Sequence, residues 1–380
     1  MKKLLLLFIL FSAFSYSQNM DIKYHGITGD NYNAYTKVDV PDIYKFKDAM
    51  HKIKTASLSV QFSSNFPSSA RSTIDTVINI LSYLINSTVE IKIKANWTKL
   101  QQNVLGQAMP VGYLHDFTGA VPHLNYPYAL ANYITRQDLV PDSSDVNFDI
   151  DSTIAWYRGT DGNTPANQYD LESVALHEIC HALGIAGSFS ADNSLATATW
   201  GFNNTAYPTI YDSFIQYGGV KILSDTSLYQ RNSSALYNVL TSNNITFSGT
   251  NAYNQNGYNY AKIYSPNPFE SGSSISHLDK LTYFNGDPNS LMRPSLAMAE
   301  AIHSPGPVGL AILQDVGWSI NSLITITFPN NNSTWSKQNN PQKIVWYQNF
   351  NGPVDIYLYQ KTANGYQQYS VMLKLEMDFC

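Results

Sequence analysis

The chain is poor in cysteine, in charge and in long apolar runs, and each shortage closes off a class of protein. Its 380 residues include two cysteines, Cys180 and Cys380. Two thiols cannot build a disulfide framework, so the fold must rest on a packed core. Hydrophobic residues make up 44%, enough to supply one. Charged residues are only 13%, with a net charge of −5, so nothing favours a polyanion such as nucleic acid. The polar surface must come from Asn, Ser, Thr, Gln and the 27 tyrosines, a neutral balance common outside the cell. Strong apolar character is confined to Leu4–Phe14, which follows Lys2 and Lys3 and ends at Ser15-x-Ser17. That run is shorter than the roughly 20 residues needed to span a bilayer, and it has the layout of a secretory signal. Residues 1–17 are therefore expected to be a signal peptide, cleaved near Gln18, and the protein to be secreted. No cysteine follows the cleavage point to carry a lipid. No later segment is apolar and long enough to insert stably in a membrane.

What is present reads as an α+β protein. Residues 18–55 form an N-terminal extension, long enough to be a pro-segment. From residue 56, "ASLSVQFSS" alternates as a strand and "SSARSTIDTVINILSYLINS" has helical spacing at Ile74, Val77, Ile78, Ile80, Leu81 and Leu84, with serines ahead of it as caps. "VEIKIKANW" and "DVNFDIDS" read as strands, and "YDLESVALHEICHALGI" as a helix with Asp170 at its N-cap and Gly184 near its end. Residues 189–272 are rich in Asn, Ser, Tyr and Gly and read as an insertion of loops and short strands. "GPVGLAILQDVGW" reads as a closing helix that follows prolines and stops at Gly317. The domain is expected to span 56–320. Residues 321–380 change to β-patterned runs separated by Asn, Gly and Pro turns, a small sandwich-like segment.

His177 and His181 stand four apart on the predicted helix, so both imidazoles lie on one face. Two imidazoles at that spacing suit one Zn²⁺, and Glu178, about 100° round the helix from His177, can take a proton from water as a general base. A catalytic zinc usually has three protein ligands and an open position. In the compact H-E-x-x-H-x-x-G-x-x-H arrangement the third falls ten residues after the first, and here that position is Gly187. Gly184 still permits the sharp helix exit. The remaining candidates are Asp192, His277 and His303. Cys180 reads as a buried small hydrophobe, Asp279 as either a partner of His277 or a solvated carboxylate, His303 as an ordinary loop residue, and Asp315 as a structural hydrogen-bond acceptor.

The joint pattern is H-E-x-x-H-x-x-G at 177–184, a long insertion, His277, "LMRP" at 291–294 and a helix ending Asp-x-Gly-Trp at 315–318. It resembles the leishmanolysin-type branch of the metzincin zinc peptidases and its bacterial secreted relatives. The resemblance covers roughly Ser57 to Trp318. It implies a twisted sheet with a long active-site helix. It also implies one zinc held by His177, His181 and His277, with Glu178 as catalytic base and Met292 as the methionine of the turn beneath the metal. The implied activity is a secreted metalloendopeptidase acting on proteins or peptides. Departures limit the transfer. Gly187 removes the compact third ligand, the stapling cysteines of such relatives are absent, and no cysteine precedes Cys180 to block the zinc from a pro-segment. Pro294 stands where some metzincins place a tyrosine. The C-terminal "ITITFPNNNSTW…KIVWYQ" resembles part of an immunoglobulin-like β module, with Trp335 and Trp346 in its core or, alternatively, on a platform for surface or polysaccharide attachment. Two rival readings are a zinc-bearing surface-binding protein without catalysis and a zinc amidohydrolase acting on a non-peptide bond.

Overall fold

The alternation in "VEIKIKANW" has the effect that period two dictates. Ile91–Thr98 is a strand whose Ile91, Ile93, Ala95 and Trp97 are buried while Lys94 and Thr98 are exposed. It belongs to a six-stranded sheet in the computed structural model, which describes residues 25–39, 54–202 and 206–321 together with the backbone of four strands beyond residue 323. Its strands are β1 (His25–Val38), β2 (Leu58–Phe62), β3 (Ile91–Thr98), β4 (Val104–Pro110), β5 (Val146–Asp151) and β6 (Ser295–Ile302). Their spatial order is β6-β1-β4-β5-β3-β2. β2, β3 and β5 run parallel, β4 is antiparallel to β5, and β1 is antiparallel to β4 but parallel to β6. The sheet is thus mixed, and the fold is a mixture of α and β.

Two of these strands carry no local signal. The sequence assigns residues 18–55 to an extension ahead of the domain, yet residues 25–38 enter the main sheet between β4 and β6. "HGITGDNYNAYTKV" is rich in Gly, Asn and Asp, which disfavour strands, so its pairing comes from neighbours on both sides. β6, "SLAMAEAI", consists largely of helix formers and is buried at all but one position.

Among the described residues there are six α-helices: α1 (Ser68–Leu84), α2 (Tyr128–Thr135), α3 (Leu171–Ala182), α4 (Ser234–Leu240), α5 (Thr250–Gln255) and α6 (Gly306–Val316). α1 buries Ile74, Val77, Ile80, Leu81 and Leu84, the stripe read from its spacing. Its N-cap is Pro67, with no side-chain bond, rather than a serine. α6 begins after Pro305 and ends at Gly317, where φ is +129°. α3 packs on β1, β4, β5 and β6 and against α1. It has no polar face: all its residues are buried.

The insertion contributes a four-stranded sheet from Ile215–Tyr217, Val220–Lys221, Ile245–Phe247 and Ala261–Lys262. Its Tyr211 and Phe247 join the same continuous core as Ile74, Phe148 and Val174 of the main sheet and helices. Beyond residue 323, Ile324–Phe328 pairs with Val345–Gln348, and Leu358–Thr362 with Gly365–Tyr369, both antiparallel. Trp346 falls in the second of these strands. Trp335 and the signal segment 1–17 lie outside the described residues. No helix among the described residues is long and apolar enough to cross a membrane.

β4 meets α3 closely at Gly106. A Cβ there would stand 2.7 Å from Val174 Cγ1 and 3.3 Å from Glu178 Cγ. Gly106→Ala is expected to force these side chains apart and destabilise the fold by about 1–3 kcal/mol. The urea-unfolding midpoint of the variant measures this, and an unchanged midpoint would show that the contact is slack.

Candidate metal centre

The site is assembled on a helix whose start is firmly capped. Asp170 accepts from the backbone N–H of Ser173 at 2.8 Å and from its hydroxyl at 2.6 Å, as an N-cap should. At the other end Gly184 has φ +132°, a conformation that side chains with a Cβ rarely adopt, and the chain turns away from the helix. The Gly187 N–H then donates to Ser276 Oγ at 3.1 Å, which ties the helix exit to the segment carrying His277. Buried Asp212 in the insertion accepts from the N–H and hydroxyl of Ser188 and from the N–H of Thr209. Tyr211 donates its hydroxyl to the Ile275 carbonyl at 3.0 Å. These bonds fix the path by which the insertion returns.

Three histidines converge. Their Nε2 atoms are 2.9 Å apart for His177 and His181, 3.0 Å for His181 and His277, and 3.3 Å for His177 and His277. Each Nδ1 faces a backbone carbonyl: His177 that of Leu291 at 2.6 Å, His181 that of Ile185 at 2.6 Å, His277 that of Ser273 at 2.7 Å. A carbonyl can only accept, so each Nδ1 carries the proton and each Nε2 presents a lone pair. Three lone pairs then point at one another with no proton between them, an arrangement that a cation relieves. Tetrahedral bonds of about 2.0–2.1 Å would put ligand nitrogens about 3.3–3.4 Å apart, close to the spacing found. The buried group His177, His181 and His277 can therefore hold a metal ion.

The electrostatics agree with neutral ligands. Burial lowers His181 to about 4. Burial, then the neighbouring imidazoles, hold His177 and His277 well below their ordinary value. Glu178 is wholly buried, and burial pushes its carboxyl well above the usual range, against the opposing effect of the Ile27 and Ala108 amides. Its Oε1 accepts from the Ile27 N–H at 2.9 Å, while Oε2 has no hydrogen-bond partner among the described residues.

Met292 is fully buried in the turn Ser290–Met292, and its carbonyl accepts from the Leu278 N–H at 2.8 Å. The turn that holds His177 through Leu291 is thus also bonded beside His277. Arg293 braces it by donating Nε–H to the Ser290 carbonyl and Nη2 to both oxygens of Glu300 at 2.7 and 2.8 Å. Both charges are buried and paired.

The other candidates go elsewhere. Asp192 is exposed and accepts from Ser194 and Leu195 in its own turn. Asp279 accepts from the N–H and hydroxyl of Thr282, so His277 is oriented by the Ser273 carbonyl instead. Asp315 accepts from the backbone N–H groups of Asn251 and Ala252, the structural role expected of it. Cys180 is a buried free thiol pushed up to about 12 by burial, which leaves it inert. His303 is no ordinary loop residue. It is buried, 2.9 Å from Asp170 and 3.4 Å from Glu172. The sequence reading also missed His25, whose ring stacks on His181 at 5.5 Å, and Ile27, which acts through its main chain and so leaves no side-chain signal. Arg293, directly after Met292, was the one neighbour whose charge in a buried motif could have drawn notice.

No protein-family model, curated protein or solved structure matches the chain.

The His303 cluster makes stability depend on pH. Burial alone would lower His303, but the hydrogen bond and charge of Asp170 and the charge of Glu172 outweigh it and hold His303 above its ordinary 6.5. Burial raises Glu172 from 4.5 to about 8. A raised histidine contributes stability below its unfolded value that is lost as pH rises through its folded one, and a raised carboxyl is penalised once pH passes its unfolded value. Both effects have the same sign, so the contribution of this cluster to stability is expected to fall between about pH 5 and pH 8, against the opposite contribution of the three buried histidines held below their ordinary value. Glu172→Gln should flatten that slope. A Glu172→Gln variant whose thermal midpoint changes with pH as that of the unaltered chain does would contradict the assignment.

Proposed function

We propose that the protein is a secreted zinc metalloendopeptidase of metzincin-like fold, with His177, His181 and His277 as the zinc ligands and Glu178 as the general base. The observation that carries the reading is the convergence of the Nε2 atoms of His177, His181 and His277, with the buried Glu178 side chain next to the first of them on α3. Three neutral imidazoles suit zinc better than magnesium or calcium, which prefer oxygen. Three ligands rather than four suit a catalytic site rather than a structural one. When bound, zinc supplies Lewis acidity and makes water acidic enough to lose a proton near neutral pH.

The residues of the chain then have distinct tasks. The carbonyls of Leu291, Ile185 and Ser273 fix the tautomer and angle of each imidazole. Glu178, wholly buried beside the three imidazoles, would accept a proton from the attacking water as a carboxylate and pass it to the departing amine. Met292 and the Arg293–Glu300 pair keep the turn under the ligands rigid. Peptide bonds of proteins are the substrate class that the resemblance to leishmanolysin-type enzymes implies.

Glu178→Gln is expected to retain one zinc per chain while cleaving casein about 10²–10⁴-fold more slowly. His277→Ala should weaken zinc binding beyond the 10–100-fold typical of an outer-shell change, measured by competition with a chromophoric chelator. Undiminished cleavage by Glu178→Gln would refute the base. Full zinc affinity in His277→Ala would refute the third ligand.

A further inference from the structure

A peptidase must admit a polypeptide to its metal, and here all the reacting groups are sealed. His177, Glu178 and His181 are 0% exposed and His277 is 1% exposed. The segment across Glu178 is the start of β1. His25, Gly26, Ile27 and Thr28 pair antiparallel with Ala108, Gln107, Gly106 and Val104 of β4. The Ile27 N–H lies 2.9 Å from Glu178 Oε1, and the His25 ring stacks on His181. β1 meets β6 only from Thr28 onward, so beside the site its ladder is with β4 alone.

A general acid that protonates a departing amine must lie within about 2.6–3.2 Å of that nitrogen. The Ile27 nitrogen occupies such a place. The pairing on β4 is through the main chain, which any extended peptide can make in the same way. We propose that residues 25–28 are a built-in blocking strand, which holds the position on β4 and at Glu178 that the extended backbone of a protein substrate takes when they are displaced. The proposal rests on the peptidase reading for the identity of the displaced partner, but the occupied slot is independent of it. The block is made by strand pairing and a backbone amide, and displacing the strand leaves the amides and carbonyls of β4 free to pair with another chain.

Gly26 offers a way to test it. A Cβ there would stand 2.8 Å from the Gly106 carbonyl oxygen and 3.3 Å from Gln107 Cβ, so Gly26→Val should push the strand off β4. Ile27→Pro acts differently, by removing the N–H that Glu178 accepts. Each full-length variant is loaded with zinc and compared with the unaltered chain in two measurements. One is the binding of a fluorescent synthetic peptide of residues 25–38, followed by anisotropy. The other is casein cleavage. The expected result is peptide affinity at least tenfold higher, and cleavage at least tenfold faster, in both variants. Equal peptide affinity in the variants and the unaltered chain would overturn the proposal. So would loss of zinc and of a cooperative melt in both variants, because β1 would then be part of the fold and not a removable block. Tighter peptide binding without casein cleavage in any form would uphold the occupied slot and refute the peptidase reading instead.

Discussion

Three imidazole nitrogens held about 3 Å apart, each ring turned so that its other nitrogen meets a backbone carbonyl, are the constraint on which the rest of the structure turns. The repulsion among them is tolerable only if something fixes each ring, and three backbone carbonyls do so. Those carbonyls come from distant parts of the chain: Ile185 just past α3, Ser273 at the end of the insertion, and Leu291 in the methionine turn. The site is therefore also a junction of the fold. An ion bound at a thousand times its dissociation constant would stabilise the folded state by about 4 kcal/mol. A ligand set spread over three segments makes that contribution act on all of them together.

Burial gives the junction its chemical character. Water is kept from the ligands, so the histidines stay neutral and Glu178 holds its proton more tightly than an exposed glutamate would. The same low dielectric would punish an unpaired charge nearby, and two groups of buried charges are paired. Arg293 meets Glu300, and His303 sits between Asp170 and Glu172. The second cluster stands at the start of α3 and the metal group near its end, so one helix links two buried polar sites across an apolar core.

Much of this could be read in the sequence, for identifiable reasons. Period two in Ile91–Thr98 and helical spacing in Ser68–Leu84 are local signals, and both elements form where the pattern put them. Asp170, His177, Glu178 and His181 were legible because a cap and a metal pair both have fixed spacing along one helix. His277 is brought beside His177 and His181 across nearly a hundred residues, and only the resemblance had singled it out. What escaped was non-local. β1 has the composition of a loop and β6 that of a helix, and each becomes a strand by lying beside the other. Ile27 touches Glu178 through an amide that every residue but proline possesses, so no choice of side chain could announce it. His303 looked ordinary because its partners precede it by more than a hundred residues.

Gly187 stands where the compact metzincin arrangement places its third histidine, and the structure has put that space to another use. A Cβ at that position would lie 2.7 Å from Asp212 Oδ1, the carboxylate that pins Ser188 and Thr209. The space beside Gly187 is thus filled by the anchor of the segment that leads to His277. A Gly187→His substitution would break that anchor, because its Cβ already meets the Asp212 carboxylate. The segment 189–272 is therefore a condition of the three-histidine group: its buried carboxylate holds the helix exit and its end carries the chain to His277.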